Sequence, residues 1–169
     1  LMVDFSKVLD FGSSRQSGTE YKNALLKKSI LMHLADNSGV TIAELAKELN
    51  VSIPTVTKLL ADLKEEGYLE DNGKIETAGG RRPNIFGLAS DALYVVGVDV
   101  QRKQMEMVLM DFQGKVVYKK EGIAYELENT PESLEKICLE TELFIQECEV
   151  KKDKIAGIGI SLTGRVDPK

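Results

Sequence analysis

The stretch Thr41-Ile42-Ala43-Glu44-Leu45-Ala46-Lys47-Glu48-Leu49-Asn50-Val51-Ser52-Ile53-Pro54-Thr55-Val56-Thr57-Lys58-Leu59-Leu60 decides how this chain is read. Thr41 followed three residues later by Glu44 is a capping box, the signature of a helix start. Behind it Ile42, Leu45, Ala46 and Leu49 fall at i, i+3, i+4 and i+7, one face of a helix. Asn50-Val51 interrupts the run. Ser52 is the next N-cap, and Pro54 sits in the first turn, where its missing N–H leaves nothing unpaired. Val56, Leu59, Leu60 and Leu63 repeat the apolar spacing, and Gly67 ends the helix. Two short amphipathic helices joined by a turn of a few residues make a helix-turn-helix.

Upstream, Leu26, Ile30, Leu31 and Leu34 form the stripe of a third helix, closed by Asp36-Asn37-Ser38-Gly39. Residues 1–19, with Gly12-Ser13-Ser14-Arg15-Gln16-Ser17-Gly18, read as a mobile arm without a secretory signal. Downstream, Tyr68-Leu69-Glu70 and Lys74-Ile75-Glu76 flank the turn-prone Asp71-Asn72-Gly73. Gly79-Gly80-Arg81-Arg82-Pro83 then leads to Ile85-Phe86-Gly87-Leu88, and the whole reads as a β-wing. Residues 20–88 are thus expected to form a winged helix-turn-helix domain, joined to the rest through Ala89-Ser90-Asp91-Ala92.

From Leu93 the pattern changes. Tyr94–Val98, Met105–Met110 and Lys115–Lys119 read as strands, with Asp111-Phe112-Gln113-Gly114 as a hairpin turn. Thr130-Pro131 opens a long helix whose expected inner face is Leu134, Ile137, Cys138, Thr141, Ile145 and Cys148. Ile155–Ile160 is a further buried strand. The order β-β-β-α-β predicts a hairpin followed by a crossover to a parallel strand.

Composition sets the limits. The 169 residues are 43% hydrophobic and 29% charged, as in a globular protein. No segment reaches the roughly 18 apolar residues of a membrane helix, so no membrane partner is expected. The net charge of −5 divides into −2 for residues 1–92 and −3 for residues 93–169, so a polyanion-binding role must rest on where the cations lie. Cys138 and Cys148 share one helix at ~15 Å separation, beyond the ~7 Å reach of a disulfide, which fits a reducing cytoplasm.

With the helix beginning at Ser52 in a major groove, Ser52, Pro54, Thr55, Lys58 and Asp62 form its outward set. Ser52 and Thr55 suit phosphates or base edges, Pro54 a thymine methyl, and Lys58 a phosphate or guanine. Arg81 and Arg82, beside two glycines and away from acids, suit a narrow and strongly negative minor groove. The remaining candidates are weaker. After the strand ending in Asp99, Val100-Gln101-Arg102-Lys103-Gln104 has no glycine with which to cradle a phosphate. Gly164-Arg165 follows the last strand, where ligands bind in open α/β sheets; Gly157, Gly159 and Gly164 serve close packing equally well. His33 stands alone without other metal ligands, and no nucleophile–base pair can be assembled, so neither a metal site nor a catalytic residue is expected.

Over about residues 20–169 the chain resembles transcriptional regulators of the ROK family (repressors, open reading frames, kinases). The resemblance rests on Asn23 with Ile30-Leu31, on Thr41–Ala46, on Ser52–Thr57, and on Gly80-Arg81-Arg82-Pro83 with Gly87-Leu88 and Val96-Gly97-Val98-Asp99. Gly157-Ile158-Gly159-Ile160 with Gly164-Arg165-Val166-Asp167 is similar to the family signature G-I-G-x-x-x-x-G-x-V-D. The implied fold class is α+β and α/β: a winged helix-turn-helix followed, over residues 93–169, by the first part of an actin-like (ribonuclease H-like) sugar-sensor lobe. The implied function is a DNA-binding repressor of sugar metabolism, with a double-stranded DNA operator, a sugar or sugar-phosphate effector near Gly164 and Arg165, and a homo-oligomeric state.

Two departures qualify it. The kinase members' D-x-G-x-T loop reads Asp99-Val100-Gln101-Arg102-Lys103, and the family's G-x-P-G turn reads Ser161-Leu162-Thr163-Gly164, without the proline. The first disfavours the alternative, a ROK sugar kinase with an added helix-turn-helix domain. A winged helix that binds protein is the third reading. The family's catalytic Asp, sugar-binding Glu/His pair and zinc-binding cysteines are expected beyond Lys169, in a longer protein; no cofactor is expected within these residues.

Overall fold

The computed structural model describes residues 18–37, 39–74 and 84–163. The chain divides into two compact units, Leu1–Ala92 and Leu93–Lys169.

In the first unit α1 (Gly18–Asp36), β1 (Val40–Thr41), α2 (Ile42–Glu48), α3 (Ile53–Glu65), β2 (Leu69–Lys74) and β3 (Asn84–Leu88) follow in order. Helix α1 begins at Gly18, inside the expected arm, with Glu20 in its first turn, where an acid offsets the positive end of the helix dipole. Residues 1–17 lie outside the described residues. The core is Ile30, Leu31 and Leu34 of α1, Leu45 and Ala46 of α2, and Val56, Leu59, Leu60 and Leu63 of α3. Each of these large aliphatic side chains gains about 1.5–3 kcal/mol by leaving water.

The turns that aim the helices are made by hydrogen bonds. At the end of α2 Asn50 N–H donates to Lys47 O at 3.3 Å and Val51 N–H to Ala46 O at 3.0 Å, a Schellman closure. It puts Asn50 at φ 52°, a left-handed conformation that asparagine adopts more readily than most residues. The same closure ends α3, with Gly67 at φ 81° and Tyr68 N–H on Leu63 O at 2.9 Å.

The wing differs from its reading. The expected hairpin about Asp71-Asn72-Gly73 is absent; β2 runs through these residues and pairs with β3, Leu69 opposite Leu88 and Lys74 opposite Asn84. The register slips by one residue between Asp71 and Lys74, and Gly73 sits at φ 92°. An Asn-Gly pair serves a bulge as well as a tight turn, because both need a residue that accepts positive φ. The Asn72 side chain lies where a Cβ on Gly87 would be, so a larger residue in β3 would have to displace it. Strand β1, not foreseen, pairs with β3 on its other side, giving the order β1-β3-β2.

The second unit is β4 (Tyr94–Val100), β5 (Gln104–Asp111), β6 (Val116–Ala124), α4 (Pro131–Glu147), a 3-10 turn (Lys152–Lys154) and β7 (Ile155–Leu162). The sheet order is β6-β5-β4-β7, with β7 parallel to β4 and the other pairs antiparallel, as the β-β-β-α-β order requires. Asp111 closes the β5–β6 turn by accepting the Gln113 and Lys115 N–H groups at 3.0 and 2.9 Å. The inner face of α4 is rotated from its expected position: Ile137, Thr141 and Phe144 are buried, whereas Leu134 is 60% exposed and Cys138 is exposed. Phe144 is fully buried in one cluster with Val96, Val98, Met105 and Met107, and burying a large aromatic there outweighs burying a leucine one turn from the helix start. Ile158, Ile160 and Leu162 extend the row of Val96, Val98 and Val100 across the β4–β7 pair, yet each is about half exposed or more.

Candidate nucleic-acid interface

Both helices of the pair start from side-chain caps. Thr41 Oγ1 accepts the Glu44 N–H at 3.3 Å while the Glu44 carboxylate accepts the Thr41 N–H at 2.8 Å and the Thr41 hydroxyl at 2.7 Å. Those bonds from Thr41, backbone first, hold the Glu44 carboxyl below the usual carboxylate range. Ser52 caps α3 by accepting the Thr55 N–H at 3.4 Å, and the Ser52 and Thr55 hydroxyls bond each other at 2.8 Å.

With Val56, Leu59, Leu60 and Leu63 turned inward, a 100° step per residue puts Pro54, Lys58 and Ala61 on the far side, flanked by Ile53 and Thr57. Ser52, Ile53, Pro54, Thr57, Lys58 and Ala61 are all exposed. The structure thus presents Ser52, Pro54 and Lys58 as expected, and Lys58 forms no ion pair among the described residues. Thr55 and Asp62 sit on the flank and are half-buried. Asp62 turns toward α1, 3.8 Å from Lys27, which also pairs with Glu66 at 2.5 Å. That contact draws two carboxylates toward a cation on α1. Ile53, Thr57 and Ala61 belong to the exposed face and were missed, although carrying the 3.6-residue period on from Pro54 and Lys58 finds Thr57 and Ala61.

Arg81 and Arg82, assigned to the wing tip, and Gly164 and Arg165, assigned to the effector, lie outside the described residues. What the structure does place at the strand ends of the second unit is Asp99. One of its carboxylate oxygens accepts the Ser161 hydroxyl and the other the Gln101 amide at 3.0 Å, while Gln101 accepts the Gln104 amide at 2.9 Å. The Ser161 bond above all, then that of Gln101, keeps the Asp99 carboxyl below the usual range. Among the described residues no three His, Cys, Asp or Glu side chains come together as metal ligands. No described helix is long and apolar enough to cross a membrane.

A family model described as winged helix-turn-helix DNA-binding matches residues 25–70. The putative xylose repressor of Caldicellulosiruptor sp. (strain Rt8B.4) is 27% identical over 142 residues, covering 83% of this chain and 35% of its own length. The xylose repressor of Bacillus subtilis (strain 168) is also 27% identical, over 83% of this chain and 36% of its own. The DNA-binding transcriptional dual regulator NagC of Escherichia coli (strain K12) is 26% identical over 93% of this chain and 39% of its own. The chain therefore spans a little over a third of the length of these relatives. The crystal structure of a ROK family transcriptional regulator, a homologue of the E. coli Mlc protein, superposes with a TM-score of 0.62 at 17% identity, over 85% of this chain and 36% of that one. It shares the fold, a winged helix-turn-helix followed by a mixed sheet. With the capped helix pair, the wing and the β4–β7 strands in this order, the chain carries a winged helix-turn-helix of the DNA-binding type and is similar over most of its length to these transcriptional regulators.

Proposed function

We propose that residues 20–88 are the DNA-binding head of a sugar-responsive repressor and that residues 93–169 open its sensor. The observation that carries this reading is the outer face of α3, where Ser52, Pro54, Thr57 and Lys58 are exposed while every large aliphatic residue but Ile53 is turned into the core. A helix shown in this way, beside a wing, can enter a major groove with its N-terminal residues against base edges. Arg81 and Arg82 are proposed to reach the adjacent minor groove from the wing.

The relatives named xylose repressor point to a small sugar or sugar phosphate as effector, with Gly164 and Arg165 near it. To act on DNA binding, the effector must prefer one arrangement of the heads over another. A homo-oligomer on a palindromic operator in the cytoplasm completes the reading. Kinase activity is not part of it: Asp99 already accepts bonds from Ser161 and Gln101 on its two oxygens, and the segment after it has no glycine to admit a phosphate.

Mobility-shift assays of the full-length protein with genomic fragments, with and without candidate sugars, test this. Retention of a defined set of fragments, released by one sugar and weakened steeply by salt, is expected. Equal binding to every fragment, or none at low salt, overturns it.

A further inference from the structure

Apart from the Lys58 ammonium, the start of α3 offers a partner more methyl groups than hydrogen-bond donors. Ile53, the first residue of the helix, is 56% exposed, the one large apolar side chain of α3 left in water. One turn on, the exposed Thr57 donates its hydroxyl hydrogen to Ile53 O at 2.9 Å. The Ser52 and Thr55 hydroxyls share one hydrogen between them at 2.8 Å. Of three hydroxyls at the front of the helix, a single hydrogen remains to be given away. Pro54, exposed between them, has no N–H at all.

In the major groove the apolar group on a base edge is the C5 methyl of thymine. We infer that α3 selects thymine by apolar contact through Ile53 and the Thr57 methyl, with Lys58 beside them meeting a phosphate. This rests on the DNA-binding reading above and adds the base it reads and the chemistry of the reading. Ile53 and Thr57 are then residues that determine specificity, while Ser52 holds the helix end that presents them.

The test replaces thymine by uracil, which removes the methyl and leaves base pairing intact. The full chain is used to select its tightest duplex from a pool of random sequence, and that duplex is remade with each thymine changed singly to uracil. One or two positions are expected to weaken binding about three- to fivefold each, the worth of one buried methyl. Ile53→Ala, exposed and so harmless to the fold, and Thr57→Ser are each expected to bind the thymine duplex more weakly and to lose the difference between thymine and uracil at one position. Thr57→Val keeps the methyl and is expected to keep the difference. Loss of discrimination in Thr57→Val but not Thr57→Ser overturns the inference in favour of hydroxyl readout. Equal binding of every uracil duplex by the wild-type chain overturns it as well. Failure to select any duplex at low salt is a different result, because it removes the DNA-binding reading itself.

Discussion

Replacing Thr41 by valine removes one oxygen and keeps the shape. The residue is buried and belongs to β1, where a β-branched side chain fits, so packing is preserved. What disappears is the bond from Glu44 N–H to Thr41 Oγ1 and the bond from that hydroxyl to the Glu44 carboxylate. Loss of an N-cap hydroxyl costs about 1 kcal/mol, in a range of roughly 0.5–2. That is about a fivefold change in the population of molecules with α2 open. Because the chain has two units, hydrogen exchange at chosen amides is a better assay than a global melt. The Leu49 and Val51 amides, bonded to Leu45 O and Ala46 O at the end of α2, should exchange about fivefold faster in the variant. The Cys148 amide on Phe144 O, in the other unit, should not change. The pH dependence carries its own sign. Since Thr41 lowers the Glu44 pKa, the stabilisation is full above the ordinary carboxylate range and is lost as pH falls through the folded value. The backbone N–H of residue 41 stays in the variant, so only the hydroxyl's share of this effect differs, and the gap between wild type and variant should narrow in acid without closing. Unchanged exchange at Leu49 and Val51 at neutral pH would mean that the Thr41 hydroxyl does not hold the start of α2.

Other outcomes follow from the same geometry. Leu63→Ala, at a fully buried site, should destabilise the first unit by about 2–5 kcal/mol and abolish DNA binding with it; a normal denaturation midpoint for that unit contradicts the core described above. Arg81→Ala with Arg82→Ala should weaken binding to A·T-rich duplexes and reduce the slope of log K against log salt by one to two, roughly one for each phosphate that is no longer neutralised, so an unchanged slope removes the wing from the interface. Ser161→Ala takes away the main bond holding the Asp99 pKa down, so a carboxyl-carbon NMR titration should find it closer to the ordinary value; the bond's contribution to stability is present above that value and disappears as pH falls through the folded one, and an unmoved titration counts against the bond.

Where the sequence was legible, the signal was a local hydrogen bond or a short period. Thr41 and Glu44 make their capping box, Ser52 caps α3, Thr130 caps α4, and the four aliphatic residues of α3 are buried as their spacing requires. Signals that mean two things misled. Asn72-Gly73 accommodates positive φ for a bulge as readily as for a turn, and only pairing with a strand more than ten residues away decides between them. In α4, Leu134, Cys138 and Phe144 are all apolar, and their sequence does not say which row the sheet will cover; it is the row of Phe144, which is buried in one cluster with the β4–β5 residues and whose ring centre lies 5.5 Å from that of Tyr118. Strand β1 has two residues, too few for any alternation to show. At the interface, Ile53 escaped notice because an isoleucine just after a helix cap reads as core, and only its exposure shows otherwise.

Whether the exposed face of α3 meets DNA is decided by titrating a selected duplex into the isotope-labelled chain and following backbone amide shifts by NMR. Perturbations are expected to gather at Ser52, Ile53, Thr57, Lys58 and Ala61 and in the wing, and to fade as salt is raised. Perturbations confined to Pro131–Glu147 of α4, or spread evenly over the chain, would contradict such contact.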